Sequence, residues 1–325
     1  MKQTIVYGGV TAEAGKKVSG YAPVLDTGVT MPITVINGVK EGPTVLITSG
    51  VHGGEYPCIE TALQLAREIE PEKVSGQIVL VHPVNVSAFV ARFSYYTPED
   101  GKNINRMFPG DAAGTISQQI AYVLTNEYQK RADFYFDLHG GDIHEDLPFQ
   151  VYYPGKPEVK DDALIEKCRE LADCLSVVYK IKAAIGTSAS VSATANCGVP
   201  SLMVECGGKG LWSQAEVDNY KQNLYNLLYY TGVLEGTAVQ YKNATELYGA
   251  STPMASCDGC WYPFVGLGDK VKKGQKVGEI RNLLGKCVEE IISQADGIIV
   301  YIITSLAITK GEPVLSVGLS EPLKD

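Results

Sequence analysis

Basic residues are in deficit in this chain: 28 lysines and arginines stand against 37 aspartates and glutamates, a formal net charge of −9. No segment carries a basic stripe, and the balance argues against a nucleic-acid partner. Long apolar runs are also missing. The longest, Ile298 to Ile303, falls far short of the ~20 residues a membrane span needs, so no membrane partner is expected. The first residues contain no apolar stretch long enough for an export signal, which makes the cytoplasm the expected location. Eight cysteines in 325 residues are no disulfide framework under those conditions, and free buried thiols are expected instead. Histidine is scarce, four in all, which makes its placement informative.

What is present is enough apolar material, 45% of residues, to bury a core in one large or two smaller domains. From about residue 30 to 235 strand and helix patterns alternate. A strand-like run at 44–48 leads through Gly50, Gly53 and Gly54 into a helix over about 55–70. Its Ile59, Ala62, Leu63, Ala66 and Ile69 recur at three- and four-residue steps, and Pro71 stops it. Further strands are read at 77–81, 134–138 and 202–204, and helices at 116–131, 161–175 and 213–234. A polar loop punctuated by glycine and proline runs from about 87 to 114; loops of that length are usually functional or disordered. The alternation predicts an α/β fold, a parallel or mixed central sheet with helices on both faces.

After Thr237 the pattern changes to short β runs, and a repeat appears. Residues 270–280 match 307–317 at Val271/Ile308, Lys273/Lys310, Gly274/Gly311, Val277/Val314 and Ile280/Val317, while Asp258-Gly259 echoes Asp296-Gly297. Two related halves predict a small pseudo-symmetric all-β sandwich resembling a lipoyl/biotinyl-type domain. It lacks the Met-Lys-Met hairpin tip of a carrier, so no attached cofactor is expected. The boundary is expected near 240–250.

Three chemistry-bearing stretches each follow an apolar run: His52-Gly53-Gly54-Glu55, Asp137-Leu138-His139, and Glu205 before Cys206-Gly207-Gly208. Buried parallel strands read as continuous apolar runs, and open α/β sheets bind ligands beyond the carboxyl ends of such strands. Two imidazoles and a carboxylate are a common catalytic zinc set with a position left for water. Alone, His52 also fits a capping or core histidine, and Glu55 a first-turn acid. Together with His139 they are candidate ligands of one zinc ion per chain. The two glycines are expected to permit the backbone conformation that turns both side chains toward one point. Asp137, two residues before His139, shares its strand face; it fits either an acceptor for a ligand's ring N–H or a structural acid. His82 is read as structural. His144 fits either the pocket mouth or a solvated loop. Glu205 is a candidate base for a metal-activated water. In the long loop, Arg106 offers a planar fork for a carboxylate with Asn105 beside it, and Arg92 is a second cation able to face a developing oxyanion. Cys257-Asp258-Gly259-Cys260 is a lone CxxC without a second half.

His52-Gly53-Gly54-Glu55, Asn103-Ile104-Asn105-Arg106-Met107-Phe108-Pro109-Gly110, Asp137-Leu138-His139 and Val204-Glu205-Cys206-Gly207-Gly208, in this order, resemble the succinylglutamate desuccinylase/aspartoacylase family, relatives of the zinc carboxypeptidases. The resemblance implies a zinc-carboxypeptidase-like fold over residues 1–240 with a β-sandwich domain over 241–325. It implies His52, Glu55 and His139 as zinc ligands, Glu205 as general acid/base, Asn105 and Arg106 as holders of the substrate carboxylate, and Arg92 as oxyanion helper. One departure stands out. Aspartoacylases carry a further arginine shortly before the catalytic glutamate, whereas residues 190–198 here contain no cation. A neutral or diamino acid moiety is therefore expected in place of N-acetylaspartate.

The reading is a zinc-dependent amidohydrolase that removes an acyl group from an N-acylated amino acid or similar small amide. Its partner is a small-molecule N-acyl substrate, and a homo-oligomer is left open. Two alternatives stand beside it: a zinc carboxypeptidase acting on small peptides, and a non-catalytic zinc-bearing carboxylate-binding protein.

Overall fold

Runs of β-branched and aromatic residues form the strands, and their position in the sheet explains why some alternate in burial and others do not. In the computed structural model, which describes residues 4–183 and 186–321, a hairpin of β1 (Ile5–Tyr7) and β2 (Val10–Ala12) comes first. An antiparallel pair follows, β3 (Lys16–Pro23) and β4 (Thr30–Asn37). Then β5 (Lys40–Ser49), helix α1 (Tyr56–Glu68) and β6 (Ser75–Val81) make a parallel β-α-β unit. A short helix, α2 (Val86–Ala91), opens the long connection. Helix α3 (Ile116–Val123), continued by tighter and wider turns to Arg131, leads into β7 (Phe134–His139), parallel to β5. The chain goes on through β8 (Glu145–Pro154), α4 (Asp162–Ala172), β9 (Tyr179–Ala183), α5 (Ala189–Cys197), β10 (Ser201–Gly208) and α6 (Gln214–Thr231). The last segment holds β11 (Thr245–Leu247), β12 (Ala250–Ser251), β13 (Gly259–Pro263), β14 (Lys270–Val271), β15 (Lys276–Arg281), β16 (Cys287–Ile292), β17 (Gly297–Ile303), β18 (Ala307–Ile308) and β19 (Leu315–Gly318).

The central sheet runs β12-β19-β17-β8-β10-β7-β5-β6-β4-β3. Its core strands β10, β7, β5 and β6 are parallel, and β8 is antiparallel to β10. Val45 and Ile47 of β5 face a core shared with α1, α4 and α6, while Leu46 faces one shared with α3, α5 and the first hairpin. Helices thus cover both faces, as the alternation implied. Helix α1 buries a wider face than its periodicity implied. Leu65 is fully covered and Leu63 only partly, because α1 packs on the sheet and on α6 together, with Gln64 bonded to Gln214. Truncating Leu65 to alanine would cost about 2–5 kcal/mol.

The repeat in the tail becomes a swapped pairing. β13 of the first half pairs with β15 of its own half and β18 of the second; β17 of the second pairs with β19 of its own half and β14 of the first. The matched positions Val271/Ile308, Val277/Val314 and Ile280/Val317 all enter one core around Trp261. This small sandwich is not detached from the rest. β17 pairs with β8 at Ile302↔Asp146 and Ile303↔Glu145, and β11 pairs with β9.

Candidate metal centre and active site

The neighbouring strands β5, β7 and β10 end side by side, so the residues at their carboxyl ends converge. This is where ligands bind in open α/β sheets. His52 follows β5 across Gly50, whose φ of 65 makes the turn. Gly53 and Gly54 serve differently from expectation. Neither has a left-handed backbone. A Cβ on Gly53 would lie 2.3 Å from the α2 backbone, and one on Gly54 would lie 1.9 Å from Asp142 Oδ1. They are glycines because neighbours close in on the 52–55 loop. Glu55 holds the N-cap position of α1, yet its side chain makes no capping bond. Its carboxylate turns inward instead.

There the ligand-capable atoms of His52, Glu55 and His139 all lie within 4.8 Å of one another, and all three residues are buried. His52 Nδ1 is 2.7 Å from Glu55 Oε1, and His139 Nδ1 bonds the same oxygen at 3.3 Å while lying 3.0 Å from Oε2, with which it forms no hydrogen bond. The other ring nitrogens are held from behind. His52 Nε2 lies 3.0 Å from Asn103 Oδ1, and His139 Nε2 lies 2.9 Å from Asp137 Oδ2. Asn103 Oδ1 also accepts the Asn105 N–H, which identifies it as the oxygen. Asp137 in turn accepts from Thr48 Oγ1 at 2.6 Å.

Each imidazole therefore has acceptors at both nitrogens, but a neutral imidazole carries only one N–H. With Nε2 protonated toward Asn103 or Asp137, both Nδ1 lone pairs point at the Glu55 carboxylate. A divalent cation among the three resolves that opposition, and the residues fit zinc in donor type and number. The electrostatics agree. Burial disfavours charge on both imidazoles, but Glu55, and for His139 also Asp137, overcomes it and raises their pKa values. Burial alone would raise the Glu55 carboxyl, yet His139 and His52 bring it down to about 2.

Glu205 lies on β10 in register with His139 of β7. It keeps some access to the cleft, but the dense protein around it raises its pKa to about 7, with His139 and a hydrogen bond from Gln150 opposing the rise. Arg106 reaches solvent, and burial of its guanidinium lowers its pKa while Glu205 across the cleft raises it. Asn105 is buried. Its Oδ1 accepts the Ala189 N–H at the start of α5, and its Nδ2 makes a long contact to Met203 Sδ. Arg92 is the one predicted site residue without a tie to the others. It is exposed at the C-cap of α2, with φ 55; its backbone N–H bonds the Phe89 carbonyl, while its side chain makes no hydrogen bond or ion pair among the described residues.

Several residues around the site were not singled out from sequence. Tyr95 sets its ring edge against His52 and bonds His144 Nε2 through its hydroxyl. Asp142 packs on Gly54; it is fully buried, its Oδ2 has no hydrogen bond among the described residues, and burial raises its pKa to about 6. Asn103 lay inside the matched motif and could have been read as a partner of a ligand. Gln150 carried no signal, since only strand register brings it to Glu205. His82 is buried elsewhere, bonded to Thr34. All eight cysteines, Cys257 and Cys260 included, are free.

Residues 41–231 match the model of the succinylglutamate desuccinylase/aspartoacylase catalytic domain. The chain is 30% identical over 283 residues to the N-alpha-acetyl-L-2,4-diaminobutyric acid deacetylase of Halomonas elongata, across 83% of this chain and 80% of that protein. A product-bound structure of the ectoine utilization protein EutE (DoeB) from Ruegeria pomeroyi aligns with a TM-score of 0.82 at 25% identity, covering 93% of this chain and 95% of that one. A succinylglutamate desuccinylase/aspartoacylase from Rhodobacter sphaeroides aligns with a TM-score of 0.79 at 28% identity, again over 93% and 95%. No helix among the described residues is long and apolar enough to cross a membrane.

Proposed function

The chain belongs to the succinylglutamate desuccinylase/aspartoacylase family, and within it we propose a zinc-dependent amidohydrolase that removes the acyl group of an N-acylated diamino acid. The observation that carries the zinc assignment is the doubled set of acceptors around His52 and His139. Zinc held by His52, Glu55 and His139 would polarise the amide carbonyl and bring the pKa of water toward ~7.

The rest is done by side chains. Glu205 takes the proton of the attacking water and delivers it to the departing amine; a carboxyl with a pKa of about 7 suits both halves of that task. Arg106 anchors the α-carboxylate through its fork, and Asn105 adds an amide donor from the β10 side. Arg92 is assigned to the oxyanion. It is bracketed by two contacts with the ligand loop, α2 on Gly53 and Tyr95 on His52. The chemistry is assigned to residues 1–240, with β17 of the following β segment paired to β8 beside them.

Two features support a diamino acid. Helix α5, just before Glu205, offers no cation to an acidic side chain, and Asp142 keeps a carboxylate oxygen without a hydrogen bond beside Gly54. The Halomonas relative is named for such a substrate. The test is a panel of N-acetyl, N-succinyl and N-acyl-diamino acids with C-terminal dipeptides, assayed on zinc-loaded protein and on Glu205→Gln. The expected result is preference for an N-acyl-diamino acid and a kcat lowered ~10²–10⁴-fold in the variant with zinc retained. Preferential cleavage of the dipeptides would replace this reading with a carboxypeptidase. Wild-type turnover by Glu205→Gln would remove Glu205 from the chemistry.

A further inference from the structure

We propose that Gln150 is the positioning residue of Glu205, an inference that rests on the reading of Glu205 as proton carrier. Gln150 and Glu205 are directly opposed on the antiparallel strands β8 and β10, as are Tyr152 and Met203 two residues on. Side chains two apart on a strand share a face, so Gln150 and Tyr152 both point to the side that Glu205 occupies. Gln150 is fully buried, and its Nε2 donates to Glu205 Oε2 at 3.1 Å and to Tyr152 Oη at 3.2 Å. Both N–H bonds of the amide are thereby used. Turned over, the amide would set its oxygen against the carboxylate oxygen, so the bonded orientation is the one that holds while Glu205 is ionised. Gln150 Oε1 meanwhile has no hydrogen bond among the described residues.

The backbone alone does not aim Glu205. The register of β10 against β8 shifts between Glu205 and Gly207, and Gly207 has a φ of 78. Such an irregularity bends the strand and re-aims the side chain beside it. Among the described residues Gln150 supplies the one side-chain hydrogen bond to the Glu205 carboxylate. It ties down Oε2 and leaves Oε1 as the oxygen free to meet the water and the leaving nitrogen. A displacement of about 1 Å at a reacting group costs on the order of 10²-fold in rate, so the bond has a large effect through geometry alone.

The test compares Gln150→Leu, Gln150→Asn and Tyr152→Phe with wild type on the preferred N-acyl amino acid. Zinc content and melting temperature are measured for each, and Gln150→Leu is repeated in a Glu205→Gln background under excess enzyme. The expected result for Gln150→Leu is a kcat lowered ~10–100-fold with KM within ~3-fold and zinc retained. A crystal structure of that variant should show the Glu205 side chain displaced. Tyr152→Phe should lose a few-fold in kcat, and Gln150→Leu should cost less than ~2-fold once Glu205 is already Gln. Gln150→Asn keeps the amide but withdraws it by one methylene; it should lose kcat likewise, and it carries the test if leucine unfolds the strand. Wild-type kcat in both Gln150 variants overturns the proposal. So does an effect confined to KM, or an equal loss in the Glu205→Gln background. If Glu205→Gln alone turns over like wild type, the role of Glu205 falls and this proposal falls with it. A dead Glu205→Gln beside an active Gln150→Leu overturns only the part given to Gln150.

Discussion

Among the described residues two clusters bring ligand-capable atoms within 4.8 Å of one another: His52, Glu55 and His139 at the strand ends, and Glu279, Cys287 and Glu290 on the β15–β16 hairpin of the tail. By distance they are equivalent. What differs is the company each carboxylate keeps. Glu279 accepts from Lys276 Nζ at 2.7 Å and Arg281 Nε at 2.6 Å, and Lys276 also reaches Glu290 at 2.6 Å. Those donors hold the Glu279 carboxyl below its ordinary value. Cys287 and Glu290 are exposed to water. The tail cluster thus already has its cations, in the form of surface ion pairs that contribute little. Among the described residues no lysine or arginine is bonded to Glu55. Its neighbours are imidazoles whose far nitrogens are already committed to acceptors. Proximity of donors alone does not distinguish the two clusters; buried donors without a competing cation are what make the first the candidate metal site.

The largest test of that difference is metal stoichiometry. Wild-type protein should carry one zinc per chain by elemental analysis. His139→Ala and Glu55→Gln should lose it along with activity, by at least ~10³-fold, since zinc supplies several kcal/mol of transition-state stabilisation. Cys287→Ser and Glu290→Gln should change neither. Zinc lost from a tail variant, or kept by His139→Ala, would break the comparison.

A smaller effect sharpens it. Asp137 and Asn103 hold the two imidazoles from behind, one with a charge and one with a neutral amide. Asp137→Asn should weaken zinc affinity ~10–100-fold in chelator competition. Asn103→Ala should weaken it less, because hydrogen bonds to an ionised acceptor are roughly twice as strong as neutral ones. Equal losses would mean that the two residues merely pack.

The convergence of His52, Glu55 and His139 was legible because the stretches that carry them follow apolar runs and parallel strands align their ends. The repeat in the tail was legible because matched positions such as Val277 and Val314 face one core. Less visible was what depends on register or on packing across elements. Strand β8 mixes polar and apolar residues, as at Glu145, Asp146 and Gln150, so it did not read as a strand, yet it brings Gln150 to Glu205 and Tyr301 to Glu145. Helix α2 is too short for a periodic signal and was absorbed into the loop. The glycines at 53 and 54 were noticed, but for backbone freedom; only the positions of α2 and Asp142 show that space is the reason.

The two regions meet at a hydrogen bond, and its pH dependence is the finest probe of the contrast. Tyr301 of β17 donates to Glu145 Oε1 at 2.6 Å, while Glu145 Oε2 accepts the Asp142 N–H at 2.9 Å. Burial raises the Glu145 carboxyl to about 8 against those two donors, with Asp142 and Glu55 pushing it further up. The folded chain therefore keeps a proton that the unfolded chain releases near ~4.3. The stability linked to Glu145 is complete below that lower value, falls as pH rises between the two, and is gone above about 8. Glu145→Gln keeps the shape and removes the titration. With both proteins treated with chelator, the difference between them isolates this group. The melting temperature of the variant minus that of wild type should grow more positive from pH 5 to pH 9, by a few degrees. Parallel curves would show that the junction between sheet and tail stays wet and unstrained. The burial of charge would then be confined to the His52, Glu55 and His139 cluster and would not reach the seam where the two regions join.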